Sequence, residues 1–219
     1  MPSAAWYDRD RSIFEREKRE VQGEYPNLHF YREEDRITVR GGFPLRHGGK
    51  DLDRFQIEIE LPRNRKDDIP VIRETAGRIP RSNNNHINEL TGDICLFVPE
   101  ERWRIFPVGS NLLDFLNGPV RNYFLGIALK ELGEPWPFGE RPHGRAGIIE
   151  FYSELIGTSE LEVIERYIQC LSKQSFKGHW ACPCGSGNKI RNCHALEIRE
   201  LREKVPWQYA RKSLEQLKR

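Results

Sequence analysis

Phe55-Gln56-Ile57-Glu58-Ile59-Glu60-Leu61 alternates apolar and polar residues without a break. Successive side chains of a strand point to opposite faces, so this run predicts a strand with Phe55, Ile57, Ile59 and Leu61 buried and Gln56, Glu58 and Glu60 wet. One dry face and one wet face belong to an antiparallel sheet, because crossover helices bury a parallel sheet on both sides. Working backward, the same period of two runs from His29, where Ile37 and Val39 alternate with polar and charged neighbours, and Gly41-Gly42 and Gly48-Gly49 are read as turns. Working forward, Pro62 closes the strand and Pro70-Val71-Ile72 opens another.

Helical patterns lie on either side of these strands. Arg11 to Val21 is charge-rich with Phe14 and Val21 a heptad apart, which suits an exposed N-terminal helix lying on the sheet. After Trp103 the period changes to that of helices. Asn117-Gly118-Pro119 places a proline at a helix start, and Val120, Tyr123, Phe124, Ile127 and Ala128 form one apolar stripe that Gly133 and Pro135 end. A further helix carries Ile148, Ile149, Tyr152 and Leu155. Ser159 and Glu162 read as a capping box before Leu161, Ile164, Ile168 and Leu171. Cys170 on that helix reads as a small packed hydrophobe. Strands first and helices afterwards predict an α+β fold, a four-stranded antiparallel sheet with flanking helices.

Composition narrows the class. Hydrophobic residues make up 37% and charged residues 31%, the balance of a globular protein, and no apolar run reaches membrane-spanning length. The polar N-terminus lacks the apolar stretch of a secretory signal. The formal net charge of +2 gives no electrostatic case for nucleic acid as a bulk partner. Five cysteines, three of them between Cys182 and Cys193, fit a metal site plus thiols better than a disulfide framework, so a reducing, cytoplasmic setting is expected.

Between the strands and the later helices, Arg81 to Thr91 is polar and asparagine-rich, so it reads as loop. It leads into Asp93-Ile94-Cys95-Leu96-Phe97-Val98, a short apolar run ending at Pro99. A thiol where the chain leaves irregular structure is within reach of solvent, and a thiolate is the nucleophile that acyl transfer needs.

His86-Ile87-Asn88, then Gly92-Asp93-Ile94-Cys95-Leu96, then Trp103 eight residues after the cysteine, resembles the active-site signature of ubiquitin-conjugating enzymes. There a His-Pro-Asn tripeptide precedes Gly-x-Ile-Cys-Leu. Here Ile87 replaces the proline and the Asn-to-Cys spacing is one residue shorter. The resemblance implies a ubiquitin-conjugating-type meander sheet, an acyl-carrying Cys95, and an Asn88 amide that stabilises the oxyanion when a lysine attacks the thioester. The segment from Trp103 to Tyr152, with Asn117-Gly118-Pro119-Val120-Arg121-Asn122-Tyr123-Phe124 and His143-Gly144, resembles the ubiquitin-conjugating-like proteins of CBASS antiphage operons. That implies a partner with a C-terminal glycine, a cGAS-like nucleotidyltransferase. His86 reads as structural, while His143 is a candidate to assist proton transfer.

Near the C-terminus, Cys182-Pro183-Cys184-Gly185-Ser186-Gly187 followed by Cys193-His194 supplies four soft-to-borderline ligands, the number a closed tetrahedral zinc site takes. It looks like the SEC-C motif first described in the bacterial preprotein-translocase ATPase. With no open position the zinc is structural, and Trp180, Lys189 and Arg191 around it suit a protein-docking surface. Residues 1–175 are therefore read as a ubiquitin-conjugating-like domain and 176–219 as the zinc motif with a C-terminal helix. No Gly-rich nucleotide-binding loop occurs, so the chain must receive an activated acyl group from a partner or attack an existing peptide or thioester bond. The competing reading is an inactive module of the same fold that recognises a protein tail.

Overall fold

The computed structural model describes residues 4–65, 68–138, 142 and 144–218. The chain forms two compact units: Met1–Phe97 with Phe106–Phe138, and Val98–Ile105 with Gly139–Arg219.

In the first unit, α1 (Trp6–Arg9) and α2 (Arg11–Glu24) precede β1 (Leu28–Glu33), β2 (Arg36–His47), β3 (Lys50–Glu60) and β4 (Val71–Glu74). The strands pair antiparallel in the order β1-β2-β3-β4, a meander. Register explains the two faces. Val39, Ile59 and Ile72 stand opposite one another on three adjacent strands, and all are buried. One residue along, Arg40, Glu58 and Arg73 form the neighbouring row on the other face. There Arg40 reaches Glu58 at 2.5 Å and Arg73 reaches it at 3.3 Å. A slip of one residue would put the charged row in the core, so register is strongly specified. Burying each aliphatic side chain of the dry row contributes about 1.5–3 kcal/mol.

Gly48 and Gly49, with φ of 57° and 77°, make the β2–β3 turn. Gly41 and Gly42 do not form a turn: they lie inside β2. A Cβ on Gly41 would stand 1.9 Å from the Asn27 carbonyl oxygen, so glycine is there to admit the incoming chain.

Helices cover the dry face. On α2, Phe14 and Val21 are buried, and so is Glu17, which Arg65 pairs and the Leu112 amide contacts at 3.2 Å. Burial outweighs Arg65 and raises the Glu17 carboxyl above the usual range. From α5 (Arg121–Glu131), Phe124 stacks on Phe55 at 4.4 Å. The helix leading to α5 starts earlier than Pro119. Asn111 and Asp114 form a capping box at α4 (Leu112–Phe115), and helical structure continues to Glu131. Pro119 falls inside, within a π-turn at Leu116–Val120 that absorbs the hydrogen bond proline cannot donate.

The second unit contains α3 (Arg102–Ile105), α6 (Arg145–Ile156), α7 (Leu161–Leu171), α8 (Ala195–Lys204) and α9 (Trp207–Leu217). No side chain caps α7, so the expected Ser159–Glu162 capping box is not formed. One apolar cluster joins Tyr152, Ile164, Ile168 and Leu171 to Cys182, Ile190, Ile198 and Leu201. The compact units therefore differ from a division at 175/176: α6 and α7 share a core with the cysteine-rich segment. Val98–Ile105 belongs here too. Glu100 accepts a hydrogen bond from the Ser213 hydroxyl, Arg102 donates to the Tyr209 hydroxyl at 3.2 Å, and burial raises the Glu100 carboxyl. No helix among the described residues is long and apolar enough to cross a membrane.

Candidate functional site

The loop after β4 folds back to form a short ladder. Ile94 donates its amide to the Ile72 carbonyl at 2.8 Å, which ties the loop to the edge strand. Ile87 and Ile94 pair antiparallel and are both buried. On either side of that pair, the Cys95 amide donates to the His86 carbonyl at 2.8 Å and the Asn88 amide to the Asp93 carbonyl at 2.9 Å. Two isoleucines thus anchor the ladder in the core, while Cys95 and Asn88 are exposed. The Cys95 Sγ lies 3.8 Å from the Phe97 carbonyl oxygen.

Asn88 also holds the turn between the two arms. Its Oδ1 accepts the amides of Leu90 and Thr91, each at 3.0 Å, an Asx-type arrangement. Gly92, at φ 74°, completes the turn beneath the Arg81 guanidinium. With the carbonyl end of the Asn88 side chain committed to backbone, the amide Nδ2 is the donor end that remains.

Beyond the ladder, α5 and the chain after it brace the loop. His86 is the one non-glycine residue with positive φ (53°) among those described, and its ring lies 5.0 Å from the Trp136 ring. Trp136 is seated on Gly126, where a Cβ would come within 2.4 Å of the indole. The Tyr123 hydroxyl donates to the Asn85 carbonyl at 2.8 Å, and Lys130 Nζ donates to the Asn84 carbonyl at 2.7 Å. Burial raises the Tyr123 phenol, and the Glu74 carboxylate and Cys95 thiolate reinforce the effect. The result is an exposed thiol and an exposed Asn88 side chain on one braced loop.

In the second unit, Cys182, Cys184, Cys193 and His194 bring their ligand atoms within 4.8 Å of one another, a group that could hold a metal ion. Local backbone explains the convergence. Ala181 pairs with Lys189, the Cys182 amide donates to the Asn188 carbonyl at 2.8 Å, and Gly185 and Gly187 take φ of 83° and 76°. This two-stranded ribbon presents the first cysteine pair, and Ile190–Asn192 turns the chain to deliver the second pair. The Cys184 and Cys193 sulfurs are 3.7 Å apart, and His194 Nδ1 is 3.2 Å from Cys182 Sγ and 3.1 Å from Cys193 Sγ. The Ser186 hydroxyl pulls the Cys184 thiol down to about 6, while burial pushes Cys182 up to about 12. Glu197 lies 3.6 Å from His194 Nε2, the far ring nitrogen, as an orienting carboxylate does.

Sequence reading named the four Cys and His side chains that converge but not their support. Arg166 Nε on α7 donates to the Pro183 carbonyl at 2.9 Å, and the Tyr167 ring lies 6.5 Å from His194. A half-exposed arginine next to a buried tyrosine on α7 was the available signal. For the thiol loop, Trp136, Tyr123 and Lys130 were missed, and only the aromatic stripe of α5 hinted at them. Trp103 lies in α3 of the second unit with Lys204 Nζ 5.4 Å from its ring centre. His143 lies outside the described residues. No family model, curated protein or solved structure gives a significant match to this chain.

Proposed function

We propose that the first unit is a ubiquitin-conjugating-like acyl carrier whose nucleophile is Cys95. The observation that carries this reading is an exposed thiol held by a backbone ladder opposite His86, two residues before Asn88, on a loop that follows a helix and a four-stranded meander. The Cys95 thiolate attacks an activated carbonyl at a partner's C-terminal glycine and displaces its carrier thiolate, which takes a proton from solvent. A substrate amine then attacks the thioester, losing a proton as the amide forms and Cys95 leaves as thiolate. Asn88 Nδ2 donates to the oxyanion between these steps, where a preorganised donor acts most strongly. By resemblance, the glycine belongs to a cGAS-like nucleotidyltransferase of an antiphage operon. Purifying the chain with its operon neighbours and measuring intact mass with and without reductant tests this. A reductant-labile adduct on Cys95 is expected; a Cys95→Ala protein that retains function would move the chain to the tail-binding reading.

The four-ligand group of the second unit is proposed to hold one structural zinc. Zn–S bonds of about 2.3 Å put neighbouring sulfurs of a tetrahedron about 3.8 Å apart, which the Cys184–Cys193 separation matches. Three thiolates and an imidazole leave no open position for substrate. The metal would hold the ribbon against α7 and supply no reaction chemistry.

A further inference from the structure

Taking a charged side chain out of water is costly unless partners wait for it, so buried charges mark closely specified contacts. Among the described residues seven polar or charged side chains are buried, and four of them are Glu100, Glu101, Arg102 and Ser213. Three of these four are consecutive in Val98–Ile105, a strap that belongs to the second unit although the chain on both sides of it belongs to the first. Helix α9 grips the strap at two positions. The Ser213 hydroxyl donates to Glu100, and the Tyr209 hydroxyl accepts from Arg102 Nη1 at 3.2 Å. Ser213 Oγ also lies 3.3 Å from the Tyr152 hydroxyl of α6 and 2.9 Å from the Tyr209 carbonyl oxygen, so the strap, α6 and α9 meet at one hydroxyl. Within the strap Glu101 pairs with Arg104, and Val98 packs on the second unit's apolar cluster.

Only Leu96 and Phe97 separate Cys95 from this strap. Both pack on the first unit's core, and the Phe97 carbonyl oxygen lies 3.8 Å from Cys95 Sγ. The thiol loop therefore has two arms held in different ways. The entering arm is pinned at Asn84 and Asn85 by Lys130 and Tyr123, while the leaving arm runs directly into the strap. A satisfied buried polar network has few alternative arrangements, so it fixes the chain that enters it. We propose that Glu100, held by Ser213, is a positioning residue for Cys95: anchorage of the strap in the second unit fixes the leaving arm of the thiol loop, and release of the strap loosens Cys95. The link is covalent, through Leu96 and Phe97. The effect on acyl transfer rests on the reading of Cys95 as the acyl carrier, whereas the hold on the loop does not.

The test is amide hydrogen exchange of the full chain in zinc-containing buffer, followed by NMR, for Glu100→Ala, Ser213→Ala and Glu100→Gln. The first removes the acceptor; the second removes the donor on α9 and leaves the strap's own sequence untouched. In both, the amides of Val98–Ile105 should exchange at least about fivefold faster. So should the Cys95 amide, which donates to the His86 carbonyl, while β2 and β3 keep their parental rates. Glu100→Gln keeps an acceptor and adds a donor within reach of Ser213, so it should exchange as the parent does. Transfer of an acyl group from Cys95 to an amine should slow in the two alanine variants and not in Glu100→Gln. A parent that forms no thioester refutes the acyl-carrier reading alone, and the exchange rates still decide the role of the strap. The inference is overturned if the strap loosens and Cys95 does not, if neither alanine variant loosens the strap, if β2 and β3 loosen equally, or if Glu100→Gln behaves as Glu100→Ala.

Discussion

Two excursions of the chain carry its candidate sites, and they are held by different means. The Asn88–Cys95 loop is fixed by backbone hydrogen bonds to its own arms and to β4, over two buried isoleucines. The Cys182–His194 ribbon buries few apolar side chains of its own, chiefly Cys182 and Ile190, and gathers four metal-ligating side chains instead. Beneath the first lies a large aromatic and aliphatic core with its charges matched in rows. A segment with little apolar area needs a staple, whereas a loop laid on a sheet edge borrows the sheet's stability.

Removing the staple should give the largest effect. Metal binding to structural zinc motifs is worth on the order of 10 kcal/mol. Chelation, or Cys184→Ser, should therefore abolish amide-exchange protection from about Gly178 to His194. Strands β2 and β3 should keep theirs, and a sheet that loses protection in parallel would break the comparison. The reverse experiment is Phe124→Ala, which removes the ring stacked on Phe55 and should cost the first unit about 3–5 kcal/mol. Denaturant unfolding followed with metal release should show the sheet destabilised and the metal retained. Smaller again is Asn88→Ala. If Nδ2 serves the oxyanion, transfer to an amine should slow by about 10²-fold with thioester formation little changed. Equal loss of both steps would mean that the two bonds accepted by Oδ1 matter most and the loop has collapsed.

The strands were legible because a single physical rule, one face dry and one wet, governs β2 and β3. Val39, Ile59 and Ile72 follow it, and the charged row beside them follows it in reverse. Gly41-Gly42 misled because glycine marks both turns and places where another backbone comes close, and only the approach of Asn27 distinguishes them. Pro119 misled in a similar way: a π-turn hides a proline inside a helix, and nothing in the residue order announces it. The four-residue Cys/His group was readable from spacing alone, since it lies within thirteen residues of one chain segment. Its partners Arg166 and Tyr167 were not, because even the shorter of the two contacts in sequence, Arg166 to Pro183, spans seventeen residues. The same blindness placed the boundary at 175 and left Trp136 out of the thiol loop.

The five cysteines offer the most direct test, because the account gives each a different environment. Cys95 is exposed on a loop held by backbone hydrogen bonds, Cys170 is buried with its thiol raised by burial, and the other three belong to the group that could hold a metal ion. Brief alkylation of the native, metal-replete protein, followed by peptide mass spectrometry, should label Cys95 alone. Chelation should add Cys182, Cys184 and Cys193, and unfolding should add Cys170. A Cys95 that stays unlabelled until the protein unfolds would contradict the central claim that this residue is the accessible nucleophile.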